Sequence, residues 1–408
     1  MSKYVIIGNS AAAVGCVEGI RSVDKKGDIT LIASEKHHTY SRPLISYLLY
    51  GKTDEQRMKY RPDSFYKDNK VDKKLGVTVT AIDKKAKTVT TDKGEVIPYE
   101  KLLVATGSNP FVPPMEGLDG VQNKYSFMTL DDAKALEKAI DKDSKVLVVG
   151  AGLIGLKCVE GILDKVKSVT VVDLADRILP SILDENGSAM VKKFIESKGV
   201  KFYLSNSVAK FEKNKATLKS GDVVDFDVAV IAVGVRPNIS LVKELGGKCD
   251  RAILVNAKSE TSLKDIYAAG DCTQYQDAAT GEIKVMALLP NAYMQGETAG
   301  INMAGGSASF DKAIPMNAIG FFGYHIITAG DYVGESYEVQ TGDSYKKLFY
   351  KDSHLTGYIM IGDVNRAGIY TSLIRNKTDL NTVDFELIKE KPQLMAFSKK
   401  KRHEFLSK

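Results

Sequence analysis

An α/β architecture, two similar doubly wound units and then an α+β domain, is predicted by three features of this 408-residue chain. A strand, a glycine loop and a helix pattern open the sequence, and the same plan begins again near residue 145. After each, period-two segments lead into an apolar strand that ends in glycine. Beyond residue 312 the plan is abandoned for several β-like runs and a helical tail.

The first loop is Tyr4-Val5-Ile6-Ile7 followed by Gly8-Asn9-Ser10-Ala11-Ala12-Ala13, with a strand at 29–33 and an acid at Glu35. The second is Lys145-Val146-Leu147-Val148-Val149 followed by Gly150-Ala151-Gly152-Leu153-Ile154-Gly155, with a strand at 169–172 and an acid at Asp173. Apolar runs without alternation read as parallel strands covered on both faces. The spacing is that of a dinucleotide-binding, Rossmann-like unit. The first glycine allows a tight turn, the second admits a pyrophosphate, and the third packs helix on strand. The helix N-terminus faces the anion, and an acid about 20 residues on accepts a ribose hydroxyl. The second loop has all three glycines. The first has Ser10 and Ala13 at two of those places, both small enough for close approach.

Residues 76–104 alternate as an antiparallel meander that feeds Leu102-Leu103-Val104-Ala105-Thr106-Gly107, a buried strand entering a glycine turn. The proline-rich stretch 110–120 reads as a crossover. The second unit repeats the plan, with a helix at about 184–198, strands near 201–226, and a buried run ending at Gly234. A third apolar block, Ile266 to Ala269, ends in Gly270-Asp271, and a helix follows at about 291–304. The boundaries expected are 1–115 plus 241–312 for the first domain, 116–240 for the second, and 313–408 for the C-terminal α+β domain.

Composition narrows the classes. A hydrophobic fraction of 44% with 26% charged residues is that of an ordinary globular protein. No apolar run reaches the ~20 residues of a membrane span, and the chain enters a strand at Lys3. The expectation is a cytoplasmic protein without a span. Cys16, Cys158, Cys249 and Cys272 have neither metal-ligand nor C-x-x-C spacing, so no metal site is expected. Cys16 and Cys158 read as small packed residues of the two loop helices. The net charge is +6, and the tail is rich in Lys and Arg from Lys399 to Lys408. That tail reads as a solvated surface or as a landing surface for an acidic protein. No aromatic-interleaved basic motif marks nucleic-acid binding. His37 and His38 read as exposed loop residues.

In combination, Gly8–Ala13 with Glu35, Ala105-Thr106-Gly107, Gly150–Gly155 with Asp173, and Ala268-Ala269-Gly270-Asp271 resemble the two-dinucleotide-domain flavoprotein reductases of glutathione-reductase-like fold. The stretch Tyr40 to Ser46 and the run Gly362 to Gly368 are similar to the NADH:rubredoxin reductases and the flavin part of nitrite reductases. The resemblance implies FAD in the first unit. Gly8, Ser10, Ala11 and Ala12 would cradle its pyrophosphate, and Glu35 would take its adenosine ribose. Arg42 and Pro43 would lie on the flavin nucleotide, the Val79 backbone on the adenine, and Ala105, Thr106 and Gly107 under the cofactor. Asp271 would bond the ribityl or pyrophosphate part.

The resemblance also implies NAD(H) in the second unit, on Gly150, Gly152, Leu153, Ile154, Gly155, Asp173 and Gly234. Asp173 disfavours a 2′-phosphate, although Arg177 lies near. Two departures stand out. Lys157 occupies a position where many relatives have glutamate, and Tyr47 lies near where ferredoxin-reductase-type relatives have lysine.

The reaction so implied is hydride transfer between NAD(H) and FAD, with the cofactor rather than a protein acid or base carrying the chemistry. Between Glu35 and Gly150 there is no cysteine, which removes a thiol relay in that region. Electrons then exchange with another molecule. An iron–sulfur protein, rubredoxin or ferredoxin-like, is the leading expectation, docking on the basic C-terminal region. An NADH oxidase acting on dioxygen and a non-catalytic flavin-binding docking subunit are the alternatives. The direction of electron flow and the choice between monomer and homo-oligomer stay open.

Overall fold

The computed structural model describes residues 2–407, without the side chains of Ser2, Lys401 and residues 404–406. Its first sheet is centred on Ser2–Ile7, which pairs in parallel with Ile29–Ala33 on one side and Val96–Val104 on the other. Val71–Leu75 extends the first side, and Ile266–Ala268 lies along Val96–Val104. Tyr4, Val5 and Ile6 are fully buried, as the unbroken apolar run requires of a strand covered on both faces.

The meander and the buried strand prove to be one element. Val96–Val104 pairs antiparallel with Thr88–Thr91 through its first residues and parallel with Ser2–Ile7 through its last. The change of partner coincides with a change of burial, from alternating at 96–99 to unbroken at 102–104.

The second unit repeats this geometry. Lys145–Val149 is flanked in parallel by Ser168–Val172 and Val228–Ile231, with Lys201–Tyr203 beyond the former and Lys124–Tyr125 beyond the latter. Its own antiparallel meander is Val208–Glu212, Lys215–Leu218 and Val223–Asp225. The helix expected at about 184–198 runs Glu185–Glu196, capped by Asp184. A short antiparallel ribbon, Ser108–Pro110 with Val235–Pro237, joins the two units where the chain crosses between them.

The loop helix Ala11–Val23 and the helix Leu289–Met303 meet at unusually close range. Gly15 and Gly19 face the carbonyls of Tyr293 and Glu297, and Gly296 and Gly300 face those of Ala12 and Cys16. Only hydrogen fits at such a contact.

The C-terminal domain is a five-stranded antiparallel sheet ordered Met316–Phe321, Tyr324–Gly330, His354–Ile361, Ser344–Lys351 and Glu335–Thr341. The helix Ala367–Arg375 packs on one face through Tyr370, Leu373 and Ile374. The other face contributes Phe321, Ile326, Tyr345 and Ile359 to the core of the second unit. Among the described residues no helix is long and apolar enough to cross a membrane.

Candidate functional site

The two glycine loops are built alike. Gly8 has φ +126° and Gly150 has φ +118°. A Cβ at Gly8 would sit 2.2 Å from the Ala105 carbonyl oxygen, and one at Gly150 would sit 2.3 Å from that of Ala232. Each first glycine is therefore fixed twice, by its left-handed backbone and by the strand beside it. Gly155 packs on the Gly150 carbonyl, where a Cβ would come within 2.0 Å, whereas Gly152 faces open space.

Both loop helices lack a capping side chain. Ser10 and Gly152 occupy the N-cap positions without a side-chain cap, and neither first turn holds an acid. The helices Leu130–Ala139 and Glu185–Glu196 are instead capped by Thr129 and Asp184. The uncapped N–H groups and the positive end of the dipole leave each loop suited to an anion.

A cleft of about 420 Å³ lies against the first loop, within the ~300–1,000 Å³ range of cofactor sites. It brings together Gly8, Ser10 and Ala12 of the loop, Glu35, Arg42, Val79, the Ala105–Gly107 turn, and Asp271. Two expected residues stay outside it. Ala11 is buried in the core under the first sheet, and Pro43 is exposed.

The cleft suits a polar dinucleotide such as FAD. The Asp271 carboxylate accepts no hydrogen bond from a described residue, and burial pushes its pKa up against the opposing pull of Arg42. Ser108 Oγ and His38 Nε2 are buried at the cleft wall without partners. Such groups are costly unless a ligand or water completes them.

Glu35 and Arg42 bond each other at 2.8 Å, and Tyr40 donates its hydroxyl to Glu35 at 2.6 Å. The same residues reach the second unit. Arg42 Nη1 donates to the Met128 carbonyl, and the Tyr40 oxygen accepts the Leu130 N–H. His37 and His38 are not the exposed loop residues expected. Both line the cleft, and His37 bonds Asp131 at 2.8 Å. Glu35 is thus linked through Tyr40 to the first helix of the second unit. Asn9, Ser108 and Asn238 also line the cleft and were not expected there. Asn9 could have been suspected from its place directly after Gly8. Ser108 and Asn238 carry no sequence signal, because the ribbon alone brings them in.

In the second loop, Asp173 accepts the Ala151 N–H at 2.5 Å and the Ala175 N–H at 2.7 Å, so its carboxylate is held at the loop. Leu153 and Ile154 are the first residues of the helix, and Gly234 has φ +126° with open space around it. Arg177 is turned onto Asp176 at 2.9 Å.

All four cysteines are free, and Cys16, Cys158 and Cys272 are buried. Burial raises these thiols and that of the half-buried Cys249, Cys272 to about 11. None is a thiolate at neutral pH, so none is poised for exchange. Among the described residues no group of three or more His, Cys, Asp and Glu could hold a metal ion.

The chain is similar to known proteins over most of its length. Residues 2–296 match the family described as pyridine nucleotide-disulphide oxidoreductase, and residues 315–378 match the rubredoxin NAD+ reductase C-terminal domain. The chain is 32% identical over 392 residues to the epsilon subunit of an NADH-dependent phenylglyoxylate dehydrogenase from Aromatoleum evansii, covering 93% of both chains. It is 37% identical over 322 residues to an NADH oxidase from Methanocaldococcus jannaschii, covering 76% of this chain and 71% of that one. The crystal structure of NADH:rubredoxin oxidoreductase from Clostridium acetobutylicum superposes with a TM-score of 0.76 at 26% identity, over 94% of this chain and 97% of the other. The chain belongs to the pyridine nucleotide-disulphide oxidoreductase family.

Proposed function

We propose that this protein is an NAD(H)-dependent FAD oxidoreductase that exchanges electrons with a small iron–sulfur protein. The observation that carries the reading is the pairing of two uncapped glycine-loop helices with four cysteines that are all free and none poised to react. FAD, when bound, accepts a hydride's two electrons from NADH and can release them one at a time to an iron–sulfur partner.

The chain's own residues bind and orient. The loop at Gly8–Ala12 and the helix behind it take the FAD pyrophosphate. Glu35, held by Tyr40 and Arg42, presents remaining lone pairs to a ribose, and Asp271 accepts a hydroxyl. The Gly150 loop takes the nicotinamide nucleotide, with Asp173 held to accept its ribose. An anaerobic titration tests this: a single equivalent of NADH should bleach the protein's visible band completely. A second equivalent consumed per chain would reveal a reducible disulfide and contradict the reading.

Asp173→Ala should lower the ratio of kcat/KM for NADH over NADPH by roughly tenfold, about 1.4 kcal/mol, as like-charge repulsion of a 2′-phosphate is removed. An unchanged ratio would remove Asp173 from the specificity role.

The iron–sulfur partner is supported by the C-terminal domain match and by the rubredoxin oxidoreductase relative. Lys399 and Lys400 are exposed on the terminal helix and offer a basic surface to an acidic partner. Of the remaining basic residues of this tail, the Lys401 side chain and Lys408 lie outside the described residues. A second reading, oxidation of NADH by dioxygen, is favoured by the Methanocaldococcus jannaschii relative. The Aromatoleum evansii relative is named as one subunit of a larger dehydrogenase, which supports service as an electron-transfer component.

A further inference from the structure

Lys157 and Glu160 lie one turn apart on the second loop helix, Leu153–Ile162, and form an ion pair whose Glu160 side chain is only 4% exposed. The pair does not close on itself. Lys157 Nζ also donates to the Gly320 carbonyl at 3.1 Å and lies 4.3 Å from the centroid of the Tyr47 ring. The second Glu160 oxygen accepts the Phe322 N–H at 2.7 Å. One ion pair therefore grips the C-terminal hairpin turn at two points and touches the helix Ile45–Leu49 that follows Arg42.

The turn itself needs holding. Phe322 has φ +51° and Gly323 has φ +86°, the left-handed pair that matches a hairpin's twist. Glycine adopts that conformation freely, whereas phenylalanine rarely does. The Glu160 bond and an edge-to-face contact with Tyr50 keep Phe322 there.

The helix has little freedom along its flank. A Cβ at Gly155 would meet the Gly150 carbonyl oxygen at 2.0 Å, and one at Gly161 would meet that of Ser46 at 3.0 Å. Leu156, Cys158, Val159 and Ile162 bury its other side in the core, and the ion pair is its polar tie to the C-terminal hairpin. A buried pair contributes little net stability, but removing one partner strands the charge of the other. The N-terminus of the same helix is the anion end of the Gly150 loop.

We propose that Lys157 is a positioning residue. Through Glu160 and the turn at Gly320–Phe322 it holds the second loop helix in the orientation that receives the nicotinamide nucleotide. This rests on the assignment of the Gly150 loop to that nucleotide.

The test uses the full-length, FAD-loaded protein and three variants: Lys157→Met, Glu160→Gln and Lys157→Arg. Affinity for NAD+ is measured by calorimetry, and amide exchange is followed in the hairpin 316–330. Positioning predicts that Lys157→Met and Glu160→Gln both weaken NAD+ by about tenfold and both speed exchange at the turn. Arginine, which keeps the charge and the carbonyl bond, should restore most of the affinity. Simple attraction between the ammonium and the pyrophosphate predicts opposite signs, since Glu160→Gln would unmask a positive charge and tighten binding. That result, or equal affinity in all variants, overturns the proposal. If Lys157→Met does not fold, Glu160→Gln carries the decision, because it removes the charge of the pair while keeping the size and shape of the side chain. Failure of the unaltered protein to bind NAD+ refutes the assignment of the loop, and the proposal with it.

Discussion

Gly296→Ala is expected to destabilise the first unit by about 3 kcal/mol, at the upper end of what overpacking costs. The added methyl would lie 2.0 Å from the Ala12 carbonyl oxygen and 2.7 Å from its carbon. Both are backbone atoms of the loop helix, so no side chain can rotate away. The helix would have to move, and Ala12 lines the cleft. Loss of FAD on purification should therefore accompany the lower denaturation midpoint. The same substitution at Gly368 should have the opposite sign. That residue is exposed on the helix Ala367–Arg375 with nothing near its missing side chain, and alanine there should add about 0.4–1 kcal/mol. Equal effects at the two positions, read by chemical denaturation, would show that the helix contact is looser than described.

Asp271→Asn is expected to separate stability from cofactor retention. The Asp271 carboxyl titrates above its ordinary range because burial disfavours its charge, with Arg42 pulling the other way. For an acid raised in the folded state, the ionised form is the strained one. The apoprotein should therefore lose stability as pH rises from the ordinary carboxylate value of 3.8 through the raised one. Asparagine carries no charge to bury, so the variant apoprotein should be at least as stable at neutral pH and should lack that slope. Its FAD should bind more weakly by about 1.5–3 kcal/mol, the worth of a hydrogen bond to a charged group. Fluorescence titration of the apoprotein with FAD, beside thermal melts, reads both. An Asp271→Asn protein that is less stable without FAD, or that binds FAD unchanged, would remove the carboxylate from the cofactor role.

How much of this was legible beforehand depended on whether the cause was local. The Gly150 loop could be read directly, since strand, glycines and acid lie in one stretch and each serves its own backbone. The Gly8 loop could be read only with help from Arg42, Ala105–Gly107 and Asp271, because Ser10 and Ala13 blur its pattern; the cleft draws these distant segments together. The merging of meander and parallel strand in Val96–Val104 was hidden. Alternation and continuity were both visible, but nothing local says that one strand carries both. The inward placing of the two histidines is hidden for the same reason. Two polar residues after an acid look like a loop, and only Asp131 and Tyr66, from other elements, turn them inward. Lys157 stood out as a departure, and the three-residue spacing to Glu160 is a helical pair. Its other partners, Gly320 and Tyr47, come from elements that no periodicity connects.

Electrons are proposed to leave this cleft, which no cysteine lines among the described residues, for a separate iron–sulfur protein. Anaerobic stopped-flow mixing tests it most directly. Protein first reduced with NADH is mixed with oxidised rubredoxin or ferredoxin, and in parallel with dioxygen. Rapid return of the visible band is expected with an iron–sulfur protein and slow return with dioxygen. Rapid return with dioxygen and none with either iron–sulfur protein would contradict it.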